Sequence, residues 1–351
     1  MSINAFTSFF LEQAVSQGID LIGITSAKPF ITKDESRTII DPKELLPNAR
    51  AVIVTAFYSN EKGDPAMFDI NHPRGKYAFD QSIRSCRPME NFYFQQIQSI
   101  LGKLGYEVIN NRDNRIPEKM AAARAGIGKY GKSTVIITKK YGSFVRLVSF
   151  VTNAPLEYED HELYESDCGK CEVCIKICPT NAIYEPFHLK KELCISDWLW
   201  GSYVPINLRE KQENRIFGCG ECVRLCPRNR RLTTREKYPV ELEDVSLAPE
   251  LIPLLTGDYE YYQKTIASFP LSAGIESIRG NSIIALGNLK IQKSIKSLFS
   301  TLAYSKSQIR SYSAWALGRI GGKHVKEVLM KALEVESDPI VREEILSAIV
   351  K

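Results

Sequence analysis

Four closely spaced cysteines stand in the segment Cys168-Gly-Lys-Cys171-Glu-Val-Cys174-Ile-Lys-Ile-Cys178-Pro179, in which two, two and three residues separate successive cysteines. A second set follows it, with Cys194 alone and then Cys219-x2-Cys222-x3-Cys226-Pro227. The two sets hold eight of the nine cysteines of the 351-residue chain. This number is too low for a disulfide scaffold in a chain of such length, so the spacing carries the information.

The spacing of the first run is that of bacterial ferredoxins, in which three thiolates hold one iron–sulfur cluster and the fourth reaches across to a second. Eight thiolates are enough for two 4Fe–4S clusters. By the crossed pattern, cluster one takes Cys168, Cys171, Cys174 and Cys226. Cluster two takes Cys178, Cys194, Cys219 and Cys222. We expect such a module to carry electrons one at a time between a donor and a site of chemistry.

Zinc and disulfides are the alternative uses of these cysteines. Zinc accepts paired Cys-x2-Cys units, but it seldom needs a third close cysteine or a proline after each run. Nothing in the sequence indicates the secretion that disulfides require. A third alternative keeps the clusters but gives them only a structural role. The ninth cysteine, Cys86, is predicted to be a small core residue without a role in the site.

Composition indicates a soluble cytoplasmic protein with two or three domains. The chain is 44% hydrophobic and 25% charged, no stretch reaches the roughly 18 apolar residues of a membrane-spanning helix, and the start lacks the pattern of a signal peptide. The net charge of +5 permits a polyanionic partner but does not require one. The four histidines are scattered without ligand spacing, so neither a histidine metal site nor a Ser-His-Asp triad is supported.

Residues 1–155 are predicted to form an α+β domain. An amphipathic helix opens the chain, and short apolar runs at 21–24 and 51–54 are typical of strands. A longer helix is expected over 89–104. The runs 134–138 and 144–150 flank a turn-forming stretch and predict a hairpin. Because helices and strands do not strictly alternate, the pattern favours α+β over a doubly wound sheet.

A small-residue segment, Ala121-Ala-Ala-Arg-Ala-Gly-Ile-Gly-Lys-Tyr-Gly-Lys-Ser133, precedes the expected hairpin. Closely spaced glycines let a backbone approach a flat or phosphate-bearing ligand. The glycines match neither the phosphate-loop nor the dinucleotide fingerprint, however. A helix end followed by a turn explains the segment equally well.

The C-terminal part of the chain, 236–351, contains an internal repeat. Arg279-Gly-Asn-Ser-Ile-Ile-Ala-Leu-Gly287 recurs as Arg310-Ser-Tyr-Ser-Ala-Trp-Ala-Leu-Gly318 and, more loosely, over 342–350, at offsets of 31 and 32 residues. Single helix pairs cannot bury their apolar faces alone, so we expect a short stacked array of the HEAT type.

Between Lys264 and Lys351 the chain has 13 Lys or Arg against 7 Asp or Glu. This excess indicates either a solvated surface or a basic face for RNA or an acidic protein.

The order of glycine-rich segment, two-cluster module and HEAT-like helices resembles the epoxyqueuosine reductase family, the cobalamin-dependent iron–sulfur enzymes that complete queuosine in the tRNA anticodon. The resemblance covers nearly the whole chain. It rests on the cysteine spacing with Cys194-Ile-Ser196, and on the segments 46–54, 74–78, Glu118-Lys119, 122–128, Gly131-Lys132 and Gly142-Ser143.

The resemblance implies a cobalamin held against the first domain and reduced by the nearby clusters in the ferredoxin-like module, 156–235. Its expected cofactor-binding residues are Ala125, Gly126, Gly128, Gly131, Lys132 and Ser133. The implied partners are a tRNA anticodon stem-loop, bound through the basic repeats, and a low-potential donor such as flavodoxin or ferredoxin. A monomer is expected.

Three positions depart from the family pattern. Counting back from the small-residue segment places Arg112 where the family has its acidic residue, and Asp113, next to it, is our candidate for the general acid. The segment Phe79–Ser82 and Arg228 also differ from the pattern. The alternatives are therefore a divergent paralogue that reduces a corrinoid or another substrate, or an iron–sulfur electron-transfer scaffold.

Overall fold

The computed structural model describes residues 2–31, 41–59, 71–78, 84–111, 115–163, 165–230 and 237–350. The elements of the first part are α1 Ile3–Ser16, β1 Leu21–Ser26, α2 Pro42–Leu45, β2 Ala51–Tyr58, β3 Lys76–Tyr77, α3 Cys86–Gly102, β4 Val108–Asn110, α4 Glu118–Arg124, β5 Lys129–Tyr130, β6 Ile136–Ile137 and β7 Val145–Thr152.

The first part is built on an antiparallel sheet in the order β1-β2-β7-β4, which confirms the α+β class. All eight residues of β2 are buried because helices cover both faces of the sheet. Ile53 and Phe57 pack against α1 and α3, while Val52 and Val54 face the side covered by α4. The two predicted strands and the opening helix are confirmed, and α3 begins at Cys86, three residues before the predicted Met89.

The hairpin expected from 134–138 and 144–150 is wrong. Strand β7 lies in the middle of the sheet and pairs with β2 on one side and β4 on the other. Strand β6 pairs with β5 instead. Only the isolated bridge between Thr138 and Gly142 closes the turn between the two runs. Both partners of β7 are distant in sequence, so adjacency along the chain was a poor guide to pairing.

The cysteine-rich part consists of short elements. They are α5 Val173–Ile177, β8 Ile183–Glu185, β9 His188–Leu189, α6 Ile195–Trp198, β10 Arg215–Phe217 and α7 Glu221–Arg224, with short 3-10 helices at Lys191–Leu193, Ile206–Gln212 and Pro227–Asn229. Its second half shares one hydrophobic core with the C-terminal helices, in which Trp198 and Ile216 pack with Ile278 and Ile283. Strand β10 also pairs with β3, which ties this part to the first.

The C-terminal part is a stack of helices. They are α8 Tyr259–Thr265, α9 Ser268–Leu271, α10 Ile275–Leu289, α11 Ile295–Thr301, α12 Ser307–Ile320, α13 Lys323–Val335 and α14 Pro339–Val350, with 3-10 turns at Pro253–Leu255 and Gln292–Ser294. Helices α10, α12 and α14 carry the three repeats and pack in sequence. A Cβ on Gly287 would lie 2.8 Å from the Cα of Ala316, and one on Gly318 would lie 2.6 Å from the Cβ of Ala348. The repeated glycine therefore sets the close spacing of the stack.

Within the described ranges, no helix is long and apolar enough to cross a membrane.

Candidate iron–sulfur and cofactor site

The thiols expected to bind cluster one influence one another electrostatically. Burial raises the pKa of Cys174 to about 11, and the nearby thiols of Cys168, Cys226 and Cys171 add to this rise. The pKa of Cys226 is also raised, by burial first and then by Cys168 and Cys171. The fold therefore places the last cysteine of the second run beside the first three of the first run.

The thiols expected to bind cluster two form a second, more buried group. Burial raises the pKa of Cys222 to about 12, and the largest contributions from neighbours come from Cys219 and Cys194. Cys178 and Cys174 contribute as well, so the second group lies next to the first. All nine cysteines are free thiols, and Cys86 is a buried core residue, as expected.

Backbone amides point at the sulfur atoms and their loops. The amide of Ala182 donates to the Sγ of Cys178 at 3.2 Å, and the amide of Cys219 donates to the hydroxyl of Ser196 at 3.2 Å. The loop that follows Cys226 is held from the first domain, because the Oδ1 of Asn229 accepts from the amide of Ser143 at 2.8 Å. The bond to Cys178 stabilises the charge of its thiolate, and such bonds to sulfur help to set cluster potentials. The other two bonds hold the loops in place.

A cavity of about 570 Å³ lies between the glycine-rich segment and the cysteine-rich part. Its floor is formed by small and apolar residues, and its rim carries charged groups. The lining residues are Ala123, Gly126, Ile127, Gly128, Lys129, Ile137, Thr138, Lys139, His161, Glu162, Glu165, Asp167 and Arg228. Because Asp167 adjoins Cys168 and Arg228 follows Cys226 by two residues, the cavity opens beside the cluster-one thiols.

The glycines of the segment pack against the protein itself. A Cβ on Gly126 would lie 2.8 Å from the Nε2 of His161, and one on Gly128 would lie 2.6 Å from the carbonyl oxygen of Ile137. Gly131 packs in the same way against the side chain of Ile137. Of the residues expected to bind a cofactor, Gly126 and Gly128 line the cavity. Ala125, Gly131, Lys132 and Ser133 are not among the described residues that line it.

A buried polar cluster in the first domain was not predicted from the sequence. The guanidinium of Arg146 donates to Glu90 at 3.1 Å, and the thiol of Cys86 donates to the same carboxylate at 3.2 Å. Burial raises the pKa of the half-buried Glu118 to about 7, an effect that Arg146 opposes and Glu90 increases. The only signal in the sequence was an arginine in the middle of the apolar run 144–150.

The candidate acid Asp113, its neighbour Arg112 and the whole altered segment Phe79–Ser82 lie outside the described residues. Arg228 is described, and it is exposed at the rim of the cavity.

Comparison with known families supports both C-terminal parts. The family model "4Fe-4S double cluster binding domain" matches residues 167–229, and the model "HEAT repeats" matches residues 271–350. Together with the sheet domain, they define a two-cluster iron–sulfur protein that ends in HEAT repeats.

Full-length relatives refine this class. The chain is 29% identical to the epoxyqueuosine reductase of Bacillus cereus, over 93% of this chain and 92% of that protein. It is 28% identical to the epoxyqueuosine reductase of Bacillus subtilis, over 98% and 95%. A crystal structure of epoxyqueuosine reductase with an epoxyqueuosine-modified tRNA-Tyr stem loop superimposes with a TM-score of 0.86, at 27% identity and 99% coverage of each chain. In sequence over nearly its whole length and in fold, the chain is similar to the epoxyqueuosine reductases.

Proposed function

We propose that this protein reduces epoxyqueuosine to queuosine in the tRNA anticodon, with electrons that pass through its two 4Fe–4S clusters. One observation carries the proposal. The cavity between the first domain and the cysteine-rich part is bordered by Asp167 and Arg228, which flank the first and last thiols of cluster one. A molecule in this cavity lies next to an electron source, whereas a scaffold would need no such cavity.

The cavity lining also fits the cobalamin that the family resemblance implies. Ala123, Ile127 and Ile137 would supply apolar surface to a flat macrocycle, and Gly126 and Gly128 would let the backbone approach it. Lys129 and Lys139 at the rim can bind amide oxygens at its edge. We propose that these residues hold the cofactor. Bound cobalamin would supply a low-potential, strongly nucleophilic cobalt centre.

The overall reaction consumes two electrons and two protons. Both carbon–oxygen bonds of the epoxide break, a carbon–carbon double bond forms, and the oxygen leaves as water. The departing oxygen needs a proton donor within hydrogen-bond reach. We propose Asp113 for this role, because it lies in the segment directly before Glu118 and the small residues that line the cavity.

Ion pairs between oppositely charged side chains lie around the cavity. The ammonium group of Lys129 pairs with Glu165 at 2.7 Å and with Asp167 at 3.2 Å. These pairs join β5 to the segment that leads into Cys168. They lie at the edge of the cavity near Cys168.

The test is turnover of epoxyqueuosine-containing tRNA by anaerobically reconstituted protein with added cobalamin and a strong reductant, followed by mass analysis of the nucleosides. We expect conversion of epoxyqueuosine to queuosine. The Asp113→Asn variant should lose turnover while it keeps its iron and its cobalamin absorption. A fully loaded parent protein without turnover would refute the proposal and favour the reduction of another substrate.

We further propose that the protein acts as a monomer in the cytoplasm, that the basic HEAT repeats contact the anticodon stem-loop, and that flavodoxin or ferredoxin supplies the electrons. Native mass spectrometry and reduction of the clusters by either donor test the first and last of these points.

A further inference from the structure

A second cavity, of about 490 Å³, lies at the start of the HEAT array and far along the chain from the cluster thiols. The residues that line it come from the ends of several helices. They are Gly257, Asp258, Tyr259, Leu271, Gly274, Ile275, Glu276, Arg279 and Tyr304.

The N-terminus of α10 opens into this cavity without a cap. The helix has 15 residues, and its N-cap is Gly274, which has a φ of 98° and, as a glycine, no side chain to accept a hydrogen bond. The amides of Ile275, Glu276 and Ser277 have no acceptor among the described residues, and the first helical bond is donated by Ile278. Three free amides at the positive end of a helix dipole form a site for an anion.

Arg279, one turn into the same helix, is an independent sign of a ligand. Its side chain lines the cavity but is only 5% exposed. Nη2 donates to the carbonyl oxygen of Gly257 at 2.7 Å and Nη1 donates to the hydroxyl of Tyr304, yet Nε has no partner among the described residues. A buried guanidinium N–H without an acceptor is costly. The centroid of the Tyr304 ring lies 4.8 Å from the guanidinium carbon, and rotation of this side chain would open space for an entering oxygen.

The second repeat contains a carboxylate partner for its arginine that the first repeat lacks. Arg310 occupies the position of Arg279 one repeat later, and its Nε and Nη2 bind both oxygens of Glu336 at 2.6 and 2.8 Å. Subtracting the repeat offset of 31 from Glu336 gives Ser305. The first repeat thus has a serine where the second has the carboxylate, and the charge of Arg279 is left without an internal counterion among the described residues.

Both acidic residues of the lining are engaged elsewhere. The carboxylate of Asp258 caps α8 by accepting from the amide of Tyr261 at 2.9 Å. The carboxylate of Glu276 lies 3.4 Å from the ammonium group of Lys306. The free amides of α10 and the guanidinium of Arg279 are N–H donors, so a ligand that they bind brings acceptor oxygens and negative charge.

We propose that this cavity binds a phosphate group of the RNA backbone, held by the amides of Ile275, Glu276 and Ser277 and by the guanidinium of Arg279. A free phosphate offers the same oxygens as the RNA backbone. The choice of RNA as the ligand therefore rests on the tRNA substrate of the proposed function. It places one fixed backbone contact at the first repeat, where a phosphate would replace the carboxylate of Glu336.

The Ser305→Glu variant tests the site without disturbing the core. Ser305 is exposed, and a carboxylate at this position should neutralise Arg279 as Glu336 neutralises Arg310. The matched control is Ser300→Glu, which adds the same charge at an exposed position of α11. Inorganic phosphate should raise the melting temperature of the parent and the control, compared with chloride at equal ionic strength, and should not raise that of Ser305→Glu. If phosphate raised the melting temperature of all three proteins equally, the proposed anion site would be wrong.

The second arm separates RNA from free phosphate. An anticodon stem-loop should bind Ser305→Glu about tenfold more weakly than the parent or the control, with a salt dependence lower by about one phosphate contact. If all three proteins bound the stem-loop equally well while only Ser305→Glu failed to respond to inorganic phosphate, the cavity would bind phosphate but not the RNA backbone, and the proposal would be wrong. If the parent bound no RNA at all, the proposed function would lose its substrate, and the phosphate arm alone would decide whether the cavity is an anion site.

Discussion

The side-chain amide of Asn229 holds both the backbone and the hydroxyl of Ser143. Its Oδ1 accepts from the amide of Ser143 at 2.8 Å, and its Nδ2 donates to the hydroxyl at 2.9 Å and to the carbonyl oxygen of Val223 at 2.6 Å. Asn229 lies three residues after Cys226, and Ser143 directly precedes the run that contains β7. One side chain therefore joins the sheet domain to the loop of cluster one.

Removal of either side chain should weaken the junction, and removal of Asn229 should weaken it more than removal of the Ser143 hydroxyl. We expect Ser143→Ala to lower the free energy of unfolding by about 1 kcal/mol, because the main amide contact survives. Asn229→Ala should cost about 3 kcal/mol, since it leaves the amide of Ser143 and the carbonyl of Val223 without partners. Anaerobic denaturant unfolding of the loaded protein measures both values. Equal effects of the two variants would show that the asparagine is not the link.

Iron content should separate the eight cluster thiols from Cys86. Reconstituted protein is expected to hold about eight irons per chain, and Cys86→Ser should keep all of them because the thiol of Cys86 is buried and donates to Glu90. Cys194→Ser should lose about four irons, those of one cluster. Iron analysis together with EPR of the reduced protein gives the count. Zinc in place of iron in the parent would contradict the assignment.

The repeat glycine offers a test of the HEAT stack. Gly318→Ala would place a Cβ 2.6 Å from the Cβ of Ala348, so α12 and α14 must move apart. We expect a loss of about 1 to 3 kcal/mol in the free energy of unfolding. The control is Gly102→Ala at the end of α3, where nothing lies within 4 Å and no loss is expected. If both variants unfold at the same denaturant concentration, the close spacing is not set by the glycine.

What could be predicted from the sequence was local. The cysteine runs are defined by short spacings, and the repeat arises from similar segments along the chain, so neither needs knowledge of distant contacts. The buried strand β2 was visible as an apolar run because both faces of the sheet are covered. The pairing of β7 with β2 and β4 was not, since its partners lie elsewhere in the chain.

The polar contacts of the protein could not be predicted from the sequence either. Arg146 meets Glu90 and Cys86 only when α3 packs across the sheet, and the periodicity of a single chain does not place them together. Likewise, the difference between Arg279 and Arg310 depends on a residue 26 positions away in the chain, and only the stacked helices reveal it.

Glu118 should make the stability of the protein depend on pH between about 5 and 7. Burial raises the pKa of this carboxyl in the folded protein to about 7, from an ordinary value of 4.5. The folded state therefore binds more protons than the unfolded state in this range, and the free energy of unfolding should fall as pH rises through it. Because the side chain is only half-buried, we expect about 2 kcal/mol across the range, which is less than the full shift would give.

The Glu118→Gln variant should remove this pH dependence, because a neutral amide has no charge to bury. The difference in unfolding free energy between variant and parent should then grow in favour of the variant from pH 5 to pH 7.5. The matched control, Glu12→Gln, makes the same chemical change at an exposed position of α1. Denaturant unfolding at several pH values measures both difference curves. A curve for Glu118→Gln no steeper than that of the control would show that Arg146 keeps this carboxylate ionised in the folded protein.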